Sequence, residues 1–434
     1  MKIIELNEET KKDVLTNLLK RGVGQFPEHE KVVGEILENV KNNGDSALFE
    51  YTKKFDKCDI TSKNIRVTKE EIADAYERID PEFVAVMKRA RANIISFHEK
   101  QKRESWFETK PNGSILGQRI IPLDISGVYV PGGKAAYPAS VLMNVIPAKV
   151  AGVSRIIAAT PPDANGNVYD GTLVACDIAG VDEIYKAGGA QAIAAMAFGT
   201  ESVPKVDKIT GPGNMYVTLA KKACFGYVSI DSLAGPSEIL VLADEFANPR
   251  YIAADLLSQA EHDELASAIL VTTSRELANK VSDEVDKFLD ELPRSDIMKA
   301  SLDNYGYILL AKDFDEAIDL TNDIAAEHVE ILTKAPFEIM PKIRHAGAIF
   351  LGEYSSEPLG DYFAGPNHII PTNGTARFFS PLNVDDFTKK SSIIAYTNEA
   401  LKEVHKDIEL FAAKEGLTAH ANAIKVRFEG DKNE

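Results

Sequence analysis

Cysteine occurs only three times in 434 residues, as Cys58, Cys176 and Cys224. An odd number at wide spacing, with no CxxC, supplies neither a disulfide framework nor a thiolate zinc site, and the three read as small buried hydrophobes. No stretch is long and apolar enough to span a bilayer. The opening residues Met1 to Thr10 carry Glu5, Glu8 and Glu9 where a signal peptide would have its apolar core, so a cytoplasmic protein is expected. Basic charge is also short: 49 Lys and Arg stand against 66 Asp and Glu, a formal net charge of −17. Such a chain repels phosphate backbones and anionic lipid, which makes nucleic acid and membrane surfaces poor partners. HExxH is absent, which disfavours a zincin. There is no fixed-period repeat and no low-complexity segment.

What is present is the composition of an ordinary globular protein, 44% apolar and 26% charged. At about 150 residues per domain the length suggests roughly three domains. The first hundred or so residues carry helical spacing: Leu15, Leu18 and Leu19; then Val32, Val33, Ile36, Leu37 and Val40 before the break Asn42-Asn43-Gly44-Asp45; then Phe83, Val86, Met87, Ala90 and Ile94. From Ile115 the texture changes to short apolar runs separated by turn signals and helical segments. The clearest runs are 126–130, 155–159, 183–187, 206–210, 238–242 and 268–272, with looser ones at 307–310 and 348–351. Such runs are expected of buried parallel strands with helical crossovers, and their number fits two α/β domains. From about Pro381 helical patterning returns, clearest between Glu399 and Lys414.

Several motifs could carry chemistry, and each also has an ordinary structural reading. Gly211-Pro212-Gly213-Asn214 follows a strand and opens a helix, which presents backbone N–H groups to a pyrophosphate or simply makes a tight turn. Position 216 is Tyr, so the third glycine of the dinucleotide fingerprint is missing. Gly188-Gly189-Ala190-Gln191 ends an earlier strand in the same manner, and two glycine turns at successive strand ends make a ligand crevice more credible. Tyr129 in Tyr129-Val130-Pro131-Gly132-Gly133 could pack against a nucleotide ring or be a half-buried strand aromatic. Gln259 and His262, three apart, share one face at the end of a helical run, as metal ligands would or as a solvated helix end would. Glu327-His328 precedes an apolar strand and could supply two bases with different duties, or a surface acid beside a capping imidazole. The glycine-rich loop 360–368 holds Asp361 and His368, and Glu415 and His420 follow the last long helix. His29, His98, His345 and His405 sit in polar helical surroundings and read as surface residues.

Taken together and in order, Tyr129-Val130-Pro131-Gly132-Gly133, Gly188-Gly189-Ala190-Gln191-Ala192-Ile193, Gly211-Pro212-Gly213-Asn214, Ala234-Gly235-Pro236-Ser237-Glu238, Gln259-Ala260-Glu261-His262, Ala326-Glu327-His328 and Gly360-Asp361-Tyr362 closely resemble the pattern of histidinol dehydrogenases. The likeness spans nearly the whole chain, and seven matched motifs are far more specific than any one. It implies two incomplete Rossmann-like α/β domains with parallel-sheet cores, a helical N-terminal extension (1–25) and a C-terminal tail (381–434) exchanged within an intertwined homodimer. The first α/β domain, with the metal and substrate site, would be discontinuous over 26–128 and 237–380; the second, binding NAD, would cover 129–236.

By the same resemblance Gln259, His262, Asp361 and His420 are zinc ligands, with His420 reaching in from the other subunit. Ser237, His328 and Glu415 join them around the substrate L-histidinol, and Tyr129, Gln191 and Asn214 contact NAD. The implied chemistry is two successive hydride transfers to two NAD molecules. His328 is the base for the alcohol, and Glu327 activates the water that adds to the aldehyde. Zinc, which accepts nitrogen donors well, would orient the substrate rather than activate water. No cysteine lies in a matched motif, so a thiohemiacetal route is not implied. Rival readings are a dehydrogenase on the same scaffold with another alcohol, a zinc hydrolase in which Glu327 acts on metal-held water, and a metabolite sensor without turnover.

Overall fold

The structure, a computed structural model, describes residues 1–21, 27–132, 137–233 and 235–429. Gly133 and Ala234 of the matched motifs lie outside the described residues, as does the expected end of the N-terminal extension near residue 25. The chain begins with β1 (Lys2–Glu5), α1 (Glu8–Leu19), α2 (Pro27–Phe55), α3 (Lys69–Arg78) and α4 (Pro81–Glu99), followed by β2 (Trp106–Thr109) and β3 (Ile115–Pro122). Strands and helices then alternate through β4 (Ile125–Tyr129), α5 (Pro138–Ala151), β5 (Arg155–Thr160), α6 (Asp170–Ala179), β6 (Glu183–Lys186), α7 (Gly189–Phe198), β7 (Lys208–Thr210), α8 (Met215–Cys224) and β8 (Ser229–Ile230). A second alternating set comprises β9 (Glu238–Ala243), α9 (Pro249–Ala260), β10 (Ser267–Thr272), α10 (Arg275–Glu291), α11 (Ser295–Tyr305), β11 (Gly306–Leu310), α12 (Phe314–Ile324), β12 (His328–Leu332), α13 (Pro336–Ile339), β13 (Ala348–Leu351) and α14 (Glu357–Tyr362). The last elements are β14 (Thr388–Ala395), α15 (Asn398–Lys414) and α16 (Thr418–Lys425).

Among the described residues, two of the three sheets are parallel, in the orders β6-β5-β4-β7-β8 and β1-β11-β10-β9-β12-β13. In each, the first strand of its alternating set lies inside the sheet. The next strands run out to one side and the later ones to the other, which opens a switch point between β4 and β7 and between β9 and β12. Both faces are covered. Along β9, Ile239, Val241 and Ala243 enter one buried cluster while Leu240 and Leu242 enter another, which is why the sequence shows unbroken apolar runs rather than alternation. Each fully buried Leu, Ile or Val contributes roughly 1.5–3 kcal/mol.

The resemblance implies a domain of 26–128 with 237–380, and the helices of 26–128 also have packing partners within 129–236. The stripe Val33, Ile36, Leu37, Val40 and Leu48 of α2 shares a cluster with Ile193 and Met196 of α7, and Val84, Met87 and Ile94 of α4 with Val141 and Val145 of α5. Helices α2 and α4 therefore cover the β4–β8 sheet, because alanine-rich α7 and the apolar α5 offer the complementary surface. The expected break near Gly44 is a kink within α2, where φ is 54° and a Cβ would meet Glu201 Oε2 at 2.4 Å. Residues 1–21 hold more than a helix, since β1 pairs with β11 as an edge strand. His98, expected at the surface, is fully buried on α4, with its Nδ1 2.8 Å from the Ile94 carbonyl.

Contacts divide the chain into two units, residues 1–102 with 123–387, and residues 103–122 with 388–434. The second unit holds the antiparallel sheet β14-β3-β2, in register from Thr388 opposite Pro122 to Ala395 opposite Ile115, and the pair α15 and α16. The expected helical tail thus carries a 3-10 turn, Val384–Phe387, and then a strand before its helices. Among the described residues no helix is long and apolar enough to cross a membrane.

Candidate active site

The carboxyl ends of β4 and β7 open on a cavity of about 1240 Å³, lined among others by Asp56, Tyr129, Gly189, Gln191, Asn214 and Tyr216. The three residues expected to contact a nucleotide therefore share one pocket at a switch point. The buried Tyr129 hydroxyl accepts the Gly189 N–H at 3.1 Å, which ties the end of β4 to the first turn of α7. Asn214 caps α8 by accepting the Val217 N–H at 3.2 Å. Gly211 is required by geometry: its φ is 113°, and a Cβ would lie 2.1 Å from the Tyr129 carbonyl oxygen. Beneath this turn, buried Lys221 donates to the Gly211 carbonyl at 2.9 Å and pairs with Asp231, which accepts the Gly211 N–H at 2.8 Å. Two helix N-termini facing a pocket of this volume fit the phosphates of a dinucleotide.

A second constellation lies at the opposite strand ends of the other sheet, the amino ends of β9 and β12. Glu327 and His328 are both buried there. The His328 Nδ1 is 2.9 Å from the Glu238 carbonyl oxygen, so in the neutral ring it carries the proton and Nε2 keeps its lone pair. That Nε2 is buried without a hydrogen-bond partner and stands 3.8 Å from Asp361 Oδ1. Glu327 Oε2 accepts the Glu238 N–H at 2.9 Å and lies 3.6 Å from His328 Nδ1. Burial, opposed by the neighbouring imidazole, pushes the Glu327 carboxyl up to about 8. Burial alone would lower the His328 pKa, but the carboxylates of Glu327 and Asp361 outweigh it and raise it. Asp361 would likewise rise on burial, yet His328 and His368 hold it well below the usual carboxylate range.

Of the expected metal ligands, Gln259 is completely buried in the last turn of α9, and neither its Oε1 nor its Nε2 has a partner. His262 follows that helix, with Nδ1 3.2 Å from Ser237 Oγ. Asp361 lies on α14, which Ser258 joins to α9 by a 3.0 Å bond to Glu357 Oε2. Among the described residues, the His, Asp and Glu side chains that converge to within 4.8 Å are His328, Glu357 and Asp361. Glu357 is an addition to the expected set: it is 2% exposed, Oε1 is unpartnered, and burial pushes its carboxyl up to about 8. His368 is another, with Nδ1 3.0 Å from the Asp361 carbonyl and Nε2 3.2 Å from Ser140 Oγ. Glu415 and His420 belong to the second unit, at the end of α15 and in α16, and both are exposed. The orphaned buried carboxamide of Gln259, the imidazole of His262 and the ionised carboxylate of Asp361 are donor types that suit zinc. All three cysteines are buried, and burial pushes the thiols of Cys176 and Cys224 up to about 12, which removes them as nucleophiles.

Two parallel sheets with central switch points, one beside a pocket of dinucleotide size and the other beside a buried acid and imidazole, fit an α/β oxidoreductase. The histidinol dehydrogenase family model matches residues 19–428. The chain is 56% identical over 433 residues to a histidinol dehydrogenase of Halalkalibacterium halodurans, with 100% of each covered. It is 57% identical over 398 residues to one of Clostridium acetobutylicum, with 92% of each covered. The crystal structure of histidinol dehydrogenase from Elizabethkingia anophelis superposes with a TM-score of 0.93 at 38% identity, covering 99% of this chain and 98% of that one. The chain belongs to the histidinol dehydrogenase family, and its enzyme class is that of the oxidoreductases of histidine biosynthesis.

Proposed function

We propose that the chain oxidises L-histidinol to L-histidine through L-histidinaldehyde, with NAD and zinc, in the cytoplasm. The observation that carries this reading is the juxtaposition of Glu327 and His328, two buried bases whose free atoms are set up for different tasks. His328 Nε2, unpartnered and facing Asp361, takes the proton of the alcohol. It does so from the neutral form of the ring, which a cation on Asp361 would favour by offsetting the carboxylate that raises the ring's pKa. Glu327, held through Oε2 by the Glu238 amide, takes a proton from water as the water oxygen bonds to the aldehyde carbon. His328 returns the proton it took from the alcohol to the carbonyl oxygen in the same addition, and the hydrate is the species oxidised to the carboxylate. NAD, when bound, is the hydride acceptor for each of the two oxidations, so two are reduced and one water is consumed per substrate.

Tyr129, Gln191 and Asn214 bind the nucleotide, and the α/β unit over 129–236 is its domain. Gln259, His262 and Asp361 hold zinc, completed by His420 of the partner subunit in a homodimer exchanged through the C-terminal tail. Zinc, when bound, supplies Lewis acidity that grips the amino and imidazole nitrogens and so orients the substrate. Ser237 and Glu415 complete the substrate contacts with these residues and His328. Chromatography of the products of L-histidinol with NAD tests the reading: L-histidine is expected, and unreacted L-histidinol with a competing alcohol consumed would assign the scaffold to another substrate.

A further inference from the structure

Arg21, at the turn ending α1, is 3% exposed, and its guanidinium is spent on the interior. Nε donates to the Leu18 carbonyl at 3.3 Å, Nη1 to the Leu265 carbonyl at 3.1 Å, and Nη2 to Glu238 Oε1, with the Tyr305 ring 5.3 Å below. Glu238, also buried, heads β9 beside Glu327 at the head of β12. The two glutamates exchange bonds crosswise: the Glu238 N–H donates to Glu327 Oε2 at 2.9 Å, and the Glu327 N–H to Glu238 Oε2 at 3.3 Å. The Glu238 carbonyl receives the His328 Nδ1 proton. One residue therefore touches both bases by three different groups, and Arg21 balances its charge.

We infer that Arg21 and Glu238 are positioning residues that hold the Glu327 carboxylate for the addition of water to the aldehyde, an inference that rests on the proposed function. An apolar contact would secure α1 equally well, since a buried ion pair rarely outperforms hydrophobic packing. What the pair adds is a charge-balanced Glu238 carboxylate clamped on the Glu327 amide. Without Arg21, that carboxylate is left buried and uncompensated against Glu327, and the crosswise bonds open. Both crosswise bonds end on a carboxylate that repulsion between the two glutamates would move, whereas the His328 bond joins its ring to the Glu238 main-chain carbonyl and involves neither carboxylate. The damage is thus specific to the step that needs Glu327.

Two reactions of L-histidinaldehyde separate the steps: oxidation with NAD requires Glu327, whereas reduction with NADH is the reverse of the alcohol step and requires only His328. In zinc-loaded Arg21→Met the ratio of oxidation to reduction should fall about tenfold or more, a displacement effect of the kind a shift near one ångström produces. In the double variant Arg21→Met with Glu238→Gln, which removes the uncompensated charge, it should return to within about threefold of the parent. A ratio unchanged in Arg21→Met, or both reactions falling in parallel, overturns the inference. If Arg21→Met does not fold, Arg21→Lys carries the same comparison, because lysine keeps the charge but cannot make the forked bonds. A parent enzyme that turns over the aldehyde in neither direction refutes the functional reading instead.

Discussion

Replacing Gln259 by leucine should stabilise the metal-free protein and abolish its stabilisation by zinc. The side chain is fully buried, and both of its polar atoms lack partners. An unmet buried polar group costs about 1–3 kcal/mol, and exchanging it for an apolar group of similar shape is neutral to favourable. With two such atoms removed, Gln259→Leu should gain about 2 kcal/mol or more in the presence of a chelator. With zinc at a hundredfold excess over its dissociation constant, the parent gains about 2.7 kcal/mol from binding, which the variant forgoes. The order of stabilities therefore equalises or reverses between the two conditions. Urea denaturation with and without zinc, read as midpoints at constant slope, measures it. A variant less stable than the parent in chelator would mean that Gln259 serves the fold, and equal zinc stabilisation of both proteins would remove it from the ligand set.

Other consequences follow from the same geometry. Glu327→Gln should lower aldehyde oxidation by about 10²- to 10⁴-fold and leave the protein folded; an unaltered rate would exclude Glu327 as the base. Because burial raises the Glu327 carboxyl to about 8 and the base is its unprotonated form, aldehyde oxidation should climb as pH rises through about 8. That limb belongs to the Glu327 and His328 pair as a unit, and a limb in the ordinary carboxylate range contradicts the assignment. Gly211→Ala forces a Cβ to within 2.1 Å of the Tyr129 carbonyl at a left-handed φ, so the turn must shift at a cost of about 1–3 kcal/mol. KM for NAD should rise far more than KM for the alcohol; equal changes would place the dinucleotide elsewhere.

The central strands of both parallel sheets were legible because they are covered on two faces, whereas the edge strands β1 and β8 were not. The runs at 155–159, 238–242 and 268–272 fall within β5, β9 and β10, whose residues are nearly all buried. The antiparallel sheet was not: β14, Thr388–Ala395, has mostly exposed side chains, so neither alternation nor an apolar run marks it. Of the residues gathered around Glu327 and His328, those with a role implied by the resemblance could be named from the sequence, and those without one could not. Arg21, Glu238 and Glu357 look in sequence like any solvated charge, and only a buried partner reveals them. Glu330, which accepts the Glu357 N–H at 2.8 Å, interrupts the apolar run of β12 two residues after His328 and so shares its face. The strand ends on which the bases sit could not be read either, since an α/β sheet ordinarily places its ligand at the carboxyl ends.

The central claim is a four-electron oxidation at a zinc-dependent site, and counting NADH formed per limiting L-histidinol tests it most directly. Two NADH per substrate, lost on chelation and restored by zinc, is the predicted result. One NADH would stop the reaction at the aldehyde and contradict the role of Glu327, and none would contradict the substrate and favour another alcohol or a hydrolase.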